Sequence, residues 1–217
     1  MGIAENIRDL RARVKSVTIL AATKGIPVPL IIEALAAGVT DIGENRVQEA
    51  LLKIPNLKIQ FPRVKFHMIG HLQTNKVKDA LLIFDVIQSV DSLHLAEEIS
   101  RRAQKPVEIF MEVNTSGEAS KFGVQPDKTL ELIQQISKLP NLQITGLMTL
   151  GPLTDDLNQS RAAFRKLREL RDSIVGSGYP QVKHLSMGMS DDYPLAIEEG
   201  SDIIRVGRII FGIEHRR

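Results

Sequence analysis

Short apolar runs and longer stretches of helical periodicity alternate along almost the whole chain. Eight runs have the length and the β-branched or aromatic content of strands: Val17 to Thr23, Thr40 to Gly43, Lys65 to Ile69, Phe84 to Gln88, Val107 to Val113, Gln143 to Thr149, Gln181 to Leu185 and Asp202 to Val206. Between them the spacing predicts helices over Val28 to Ala37, Arg46 to Leu52, Asn75 to Leu82, Ser92 to Ala103, Asp127 to Leu139, Asp155 to Val175 and Pro194 to Glu199. In the longest of these, Leu157, Phe164, Leu167, Leu170 and Ile174 share a face, as a period near 3.6 requires. Arg161, Arg165, Lys166, Arg168 and Arg171 then read as a solvated outer face.

Continuously apolar strands, each followed by a helix, indicate a parallel sheet covered on its outer side. Repetition of this unit within 217 residues predicts an α/β fold, a single (β/α)8 TIM barrel occupying residues 1–217, with an open doubly wound sheet as the structural runner-up. An extra N-terminal helix, Ile3 to Val14, is expected to cover an open end of the barrel.

Composition narrows the chemistry. The hydrophobic share of 43% and charged share of 25% are globular. Against 26 acidic residues stand 28 Lys and Arg, a net +2 that gives no overall case for nucleic acid or a membrane surface. With no Cys, thiolate metal sites, disulfides and cysteine nucleophiles are excluded. The N-terminus lacks an apolar leader and no window reaches a membrane span, so a cytoplasmic protein with a small-molecule partner is expected.

In a barrel the residues just past each strand form the active face, and here they are polar. They include Lys24, Glu44-Asn45-Arg46, Gly70-His71-Leu72-Gln73, Ser89 and Asp91, Asn114-Thr115-Ser116, Met148-Thr149, Ser186 to Ser190, and Gly207-Arg208. Lys24 ends an apolar strand, where burial would free its amine to condense with a carbonyl; a lysine snorkelling at a strand end is the plainer alternative. The loops after the seventh and eighth strands are where barrels seat a phosphate, although Gly188 and Gly207 also serve as simple turn residues. His67 and His71 lie four apart on a predicted strand, not a helix, so no metal site is expected. The pairs Asp155-Asp156 and Asp191-Asp192 read as helix caps, and His94 and His184 as structural histidines.

A Schiff-base lysine after the first strand, a phosphate cup after the seventh and eighth, and an arginine between them fit pyridoxal 5′-phosphate. The segments ATK around Lys24, IGENRVQE (42–49), FHMIGHLQTNK (66–76), MEVNTSGEASKFG (111–123), GLMTL (146–150), LSMGMSDD (185–192) and RVGRIIFG (205–212) resemble the YggS/PROSC family of pyridoxal phosphate homeostasis proteins, in order and over essentially the whole chain. The resemblance implies a barrel like the alanine racemase N-terminal domain, the fold type III of pyridoxal phosphate proteins. It implies that Lys24 holds the cofactor, that Ser186, Gly207 and the backbone of Arg208 hold its phosphate, that Asn45 lies beside it, and that Arg205 faces the pyridine nitrogen. Gly25, Arg46 and Arg208 depart from residues common in the family at those places.

The resemblance further implies a non-catalytic role in cofactor homeostasis and amino-acid and keto-acid balance, with apo enzymes that use the cofactor as recipients. An arginine at the pyridine nitrogen disfavours its protonation and weakens the ring as an electron sink. The racemases of this fold add a tyrosine from a further β domain, which this sequence does not show after the barrel; Tyr179 and Tyr193 are poor substitutes, and a monomer is expected. A racemase or lyase on the same site is the alternative, and a cofactor-free Schiff-base aldolase acting on phosphosugars through Lys24 a third.

Overall fold

The computed structural model describes residues 2–118, 121–154 and 156–212. Eight parallel strands close into a barrel in chain order: β1 (Thr18–Ala22), β2 (Asp41–Glu44), β3 (Lys65–Met68), β4 (Val86–Val90), β5 (Val107–Glu112), β6 (Leu142–Met148), β7 (His184–Ser186) and β8 (Ile203–Val206). The helices between them are α2 (Val28–Ala36), α3 (Val47–Gln60), α4 (Val77–Ile83), α5 (Leu93–Arg102), α6 (Pro126–Ile136), α7 (Leu157–Gly176) and α8 (Tyr193–Glu198), preceded by α1 (Ile3–Val14) and followed by the single turn α9 (Arg208–Phe211). The barrel, not the open sheet, is the fold. Among the described residues no helix is long and apolar enough to cross a membrane.

Two apolar layers hold it together. Alternate strand positions point inward, so Leu20, Ile69, Val86, Phe110, Met148 and Ile203, drawn from β1, the end of β3, β4, β5, β6 and β8, meet inside the barrel. The intervening positions, such as Ile19, Ile42, Ile87, Ile109 and Leu185, pack outward against the helices.

Several expectations are corrected. The N-terminal helix does not cover an end of the barrel. Its buried stripe of Ile3, Ile7, Leu10 and Val14 packs in the outer ring against α2 and α9, with Asn6 Nδ2 donating to the Ile210 carbonyl at 3.0 Å. One turn of α9 leaves room that α1 fills. Helix α3 runs eight residues beyond Leu52, through Pro55, because Ile54 and Leu57 are buried and outweigh the lost backbone bond. The arginines of α7 are not simply solvated: Arg161, Arg165 and Arg168 converge on the buried Glu199 carboxylate, which holds its pKa below the usual range, led by the Arg165 hydrogen bond. Asp156 caps α7 through the Asn158 N–H, whereas Asp192 turns its carboxylate back to the Met189 N–H; Asp155 lies outside the described residues.

Candidate functional site

The turn after β1 is locked from below. The Thr23 hydroxyl donates to Glu44 Oε1 at 2.8 Å. The Lys53 ammonium donates to the Thr23 carbonyl at 2.9 Å, to Glu44 Oε1 at 3.0 Å and to Glu49. Glu49 in turn accepts the Gly25 N–H at 2.6 Å, and Gly25 sits at φ +68°, where a side chain would be strained. That is a physical reason for glycine after Lys24. Lys24 itself is exposed at the rim, and the expectation of burial is corrected: the turn carries it past Ala22, the last apolar position of β1. Burial pushes the Glu44 carboxyl up, opposed by its bonds from Thr23 and Lys53.

Neighbouring strands bring the other expected residues beside it. The Thr23 N–H donates to the Gly43 carbonyl, so Asn45, past the end of β2, is adjacent to the Lys24 turn. Asn45 also lines a cavity of about 260 Å³ with Arg46, Met68, His71 and Lys76. On the other side, Ala21 pairs with Val206, and a Cβ on Gly207 would come within 2.9 Å of the Ala22 carbonyl oxygen, so only glycine fits there. Past Gly207 the first N–H groups of α9, those of Arg208 and Ile209, have no intrahelical acceptor. The Arg208 side chain pairs with Asp191 in the loop after β7. Lys24, Asn45, Gly207 and Arg208 thus occupy one contiguous arc of the rim.

Ser186 and Arg205 lie deeper. Each is two residues beyond an inward-facing neighbour, so alternation directs both into the barrel. Arg205 is 4% exposed and donates from Nη1 to Ser186 Oγ at 2.8 Å and from Nη2 to the Thr149 carbonyl at 2.7 Å. Burial lowers its pKa to about 10, resisted by Asp192 and Glu112, so it stays charged at neutral pH. The Ser186 hydroxyl is fully buried and donates to Gln88 Oε1 at 2.6 Å. Within the same segment, Ser190 is the serine with solvent access.

Sequence reasoning missed Glu112. It ends β5 on the same face as Phe110, is 4% exposed, and its Oε2 has no partner. Burial pushes its pKa up to about 7, with Asp91 adding and Arg205 opposing. The signal was present: a glutamate at an inward register in the apolar run VEIFME. Ser89 Oγ is likewise buried without a partner, and Ser89 is part of β4, not beyond it as expected. His67 and His71 part company, the first inside the barrel and the second stacked on Phe122 at 3.9 Å between ring centroids. Both tyrosines, Tyr179 and Tyr193, pack into the helix-facing core.

A closed parallel barrel with a lysine, a buried arginine and unpartnered helix N–H groups at its C-terminal end defines the class of (β/α)8 barrel proteins, and comparison with known proteins narrows it. Residues 2–215 match the family model "Alanine racemase, N-terminal domain". The pyridoxal phosphate homeostasis protein of Aquifex aeolicus is 43% identical over 197 residues, covering 89% of this chain and 86% of that protein. The structure of PipY of Synechococcus elongatus with PLP bound is 38% identical with a TM-score of 0.88, covering 97% of this chain and all of that one. Alanine racemase of Corynebacterium glutamicum, at 14% identity and a TM-score of 0.81, shares the fold over 98% of this chain and 61% of its own. The chain belongs to the pyridoxal phosphate homeostasis (YggS/PROSC) family, within the alanine racemase N-terminal domain group.

Proposed function

We propose that this protein holds pyridoxal 5′-phosphate at the C-terminal mouth of its barrel, bonded as a Schiff base to Lys24. It serves cofactor homeostasis and amino-acid and keto-acid balance and catalyses no robust reaction of its own. The observation that carries this reading is Arg205, a charged guanidinium fixed at the floor of the mouth by Ser186 and Thr149, with Lys24 and the Gly207 loop above it. The residues present fit the cofactor. Gly207 leaves a backbone cradle that a Cβ would fill, and the buried Ser89 Oγ and Glu112 Oε2 lack protein partners.

In this reading the N–H groups of Arg208 and Ile209 and the hydroxyl of Ser190 hold the phosphate. Ser190 takes the place of the expected Ser186, whose hydroxyl is fully buried and bonded to Gln88 and Arg205 inside the barrel. Asn45 lies beside the ring. When bound, the cofactor supplies an aldehyde for amines and an electron sink for carbanions. Arg205 keeps the ring nitrogen unprotonated, since a guanidinium donates and carries no proton to spare, and so limits that sink. Tyr193, buried in the helix-facing core, and Tyr179, half-buried against it, are poor candidates for a second base. The exposed Lys24 suits a cytoplasmic monomer that passes the cofactor to apo enzymes.

The test is the absorbance of the purified protein between 300 and 500 nm, with and without added cofactor. A band near about 420 nm, absent from Lys24→Ala, is expected; its absence from the wild type removes the reading. The near-neutral carboxyl of Glu112 favours a second reading, a racemase or lyase on the same site. Exchange of an amino acid's α-hydrogen in deuterated water separates the two.

A further inference from the structure

Arg205 is the first member of a chain of polar side chains that crosses the barrel interior. Ser186 Oγ stands 2.8 Å from Arg205 Nη1 and 2.6 Å from Gln88 Oε1. Gln88 Nε2 stands 3.0 Å from His67 Nδ1, and His67 Nε2 stands 2.9 Å from Asp41 Oδ1. These residues come from β8, β7, β4, β3 and β2, so the chain ties non-adjacent strands together. Strand β4 makes its contribution at an irregularity: its register with β5 shifts between Ile87 and Val90, a bulge at Gln88 and Ser89 of the kind that re-aims side chains.

One fact sets the direction of every bond. A guanidinium only donates, so Ser186 Oγ accepts from Arg205 and its single proton goes to Gln88 Oε1. The Gln88 amide then presents Nε2–H to His67 Nδ1, which must be a bare acceptor. The imidazole proton therefore sits on Nε2 and points at Asp41, whose carboxylate is held below the usual range: the bonds from His67 and Thr40 outweigh the opposing effect of burial. Rotating the Gln88 amide fails, because Ser186 Oγ would then receive two N–H groups and its own proton, fully buried, would have no acceptor in the chain.

We infer that Ser186, Gln88 and His67 are positioning residues for Arg205, forming a hydrogen-bonded chain of fixed donor direction that sets the plane of the guanidinium facing the cofactor. Two of the five guanidinium N–H donors are spent on Ser186 and Thr149, which orients the group without exhausting it. The inference rests on the cofactor reading of the site, but the chain has a readout of its own.

That readout is ¹⁵N NMR of the imidazoles in the full-length protein, with His67→Gln to assign the signal. A bare Nδ1 and a protonated Nε2 are expected; a proton on Nδ1, alone or with Nε2, overturns the chain. The second arm titrates pyridoxal phosphate into Ser186→Ala and Gln88→Leu and follows the visible band. Binding weaker by about tenfold and a displaced band are expected, the effect of losing one hydrogen bond to a charged group. Ser186→Thr, which keeps the hydroxyl, restores both. If Gln88→Leu does not fold, Ser186→Ala carries the test. A wild type that takes up no pyridoxal phosphate defeats the cofactor reading and this inference with it. A wild type that binds it, with Ser186→Ala equally tight and unshifted, defeats the inference alone.

Discussion

The two ends of the barrel interior are built from similar residues to opposite effect. At the N-terminal end a cavity of about 310 Å³ is lined by Asp41, Lys65, His67, Glu108, His184 and Asp202. There the charges find partners: Asp41 with His67 at 2.9 Å, Glu108 with Thr145 at 2.8 Å and Lys65 at 3.5 Å, and Asp202 with the Leu185 N–H at 2.8 Å. At the C-terminal end lie the three buried side-chain oxygens without partners among the described residues, Glu112 Oε2, Ser89 Oγ and, on the helix-facing side of β2 beside Lys53, Glu44 Oε2, together with a buried arginine. An unpaired buried polar atom costs about 1–3 kcal/mol. Polar residues alone do not mark a site; polar residues left unsatisfied at the end where barrels bind ligands do.

The contrast is sharpest at Arg205. Replacing it with Leu removes the buried positive charge that opposes Glu112 and Asp192. Affinity for pyridoxal phosphate is expected to fall at least about a hundredfold by absorbance titration, the scale of truncating one member of a buried charge pair. Binding within threefold of wild type would make the mouth no more functional than the N-terminal end.

Glu112→Gln tests the same end through stability. Folded, Glu112 holds its proton up to about pH 7; in the unfolded chain it loses it near its ordinary 4.5. Below 4.5 both states are protonated and there is no penalty. Between 4.5 and 7 the unfolded state releases the proton and the folded state does not, so wild-type stability drains as pH rises and levels off above 7. The amide has no proton to lose. Denaturant melts from pH 4 to 8 should show the variant gaining on wild type by up to about 3 kcal/mol across that window, and parallel profiles would remove the burial argument for Glu112.

These two residues also mark what the sequence made legible. The barrel was readable because every strand is an apolar run followed by a helical period, and the position of Lys24, Asn45, Gly207 and Arg208 at the rim follows from where those runs end. Glu112, Gln88 and His67 were not readable as a set, because they sit within strands and are joined only by closure of the barrel across residues far apart in the chain. Ser186 lies inside the barrel and not past its end for a related reason: β7 ends one residue later than its apolar run suggests. The length of α3 was hidden by Pro55, where buried Ile54 and Leu57 override a local breaker.

At the opposite end the expected effects are small and confined to stability. Thr145→Val deletes the hydroxyl that donates to Glu108 and leaves Lys65 in place to pair it. A loss of about 1 kcal/mol is expected in chemical denaturation, with cofactor affinity unchanged. An affinity change of tenfold would mean that the two ends are coupled through more than the Asp41-to-Arg205 chain.

The smallest effect is expected at the mouth itself, and it separates backbone from side-chain recognition. Arg208 opens α9, and its guanidinium is turned to Asp191 on the surface, both partners substantially exposed. If the phosphate is held by the N–H groups of Arg208 and Ile209, Arg208→Ala keeps them and breaks only a solvent-screened pair worth about 0–1 kcal/mol. Affinity should then stay within about threefold of wild type, while Gly207→Ala, which forces a Cβ toward the Ala22 carbonyl, should weaken binding more. The reverse order would assign the phosphate to the Arg208 side chain, and the exposed arginine would replace the glycine cradle as the feature that distinguishes this end of the barrel from the other.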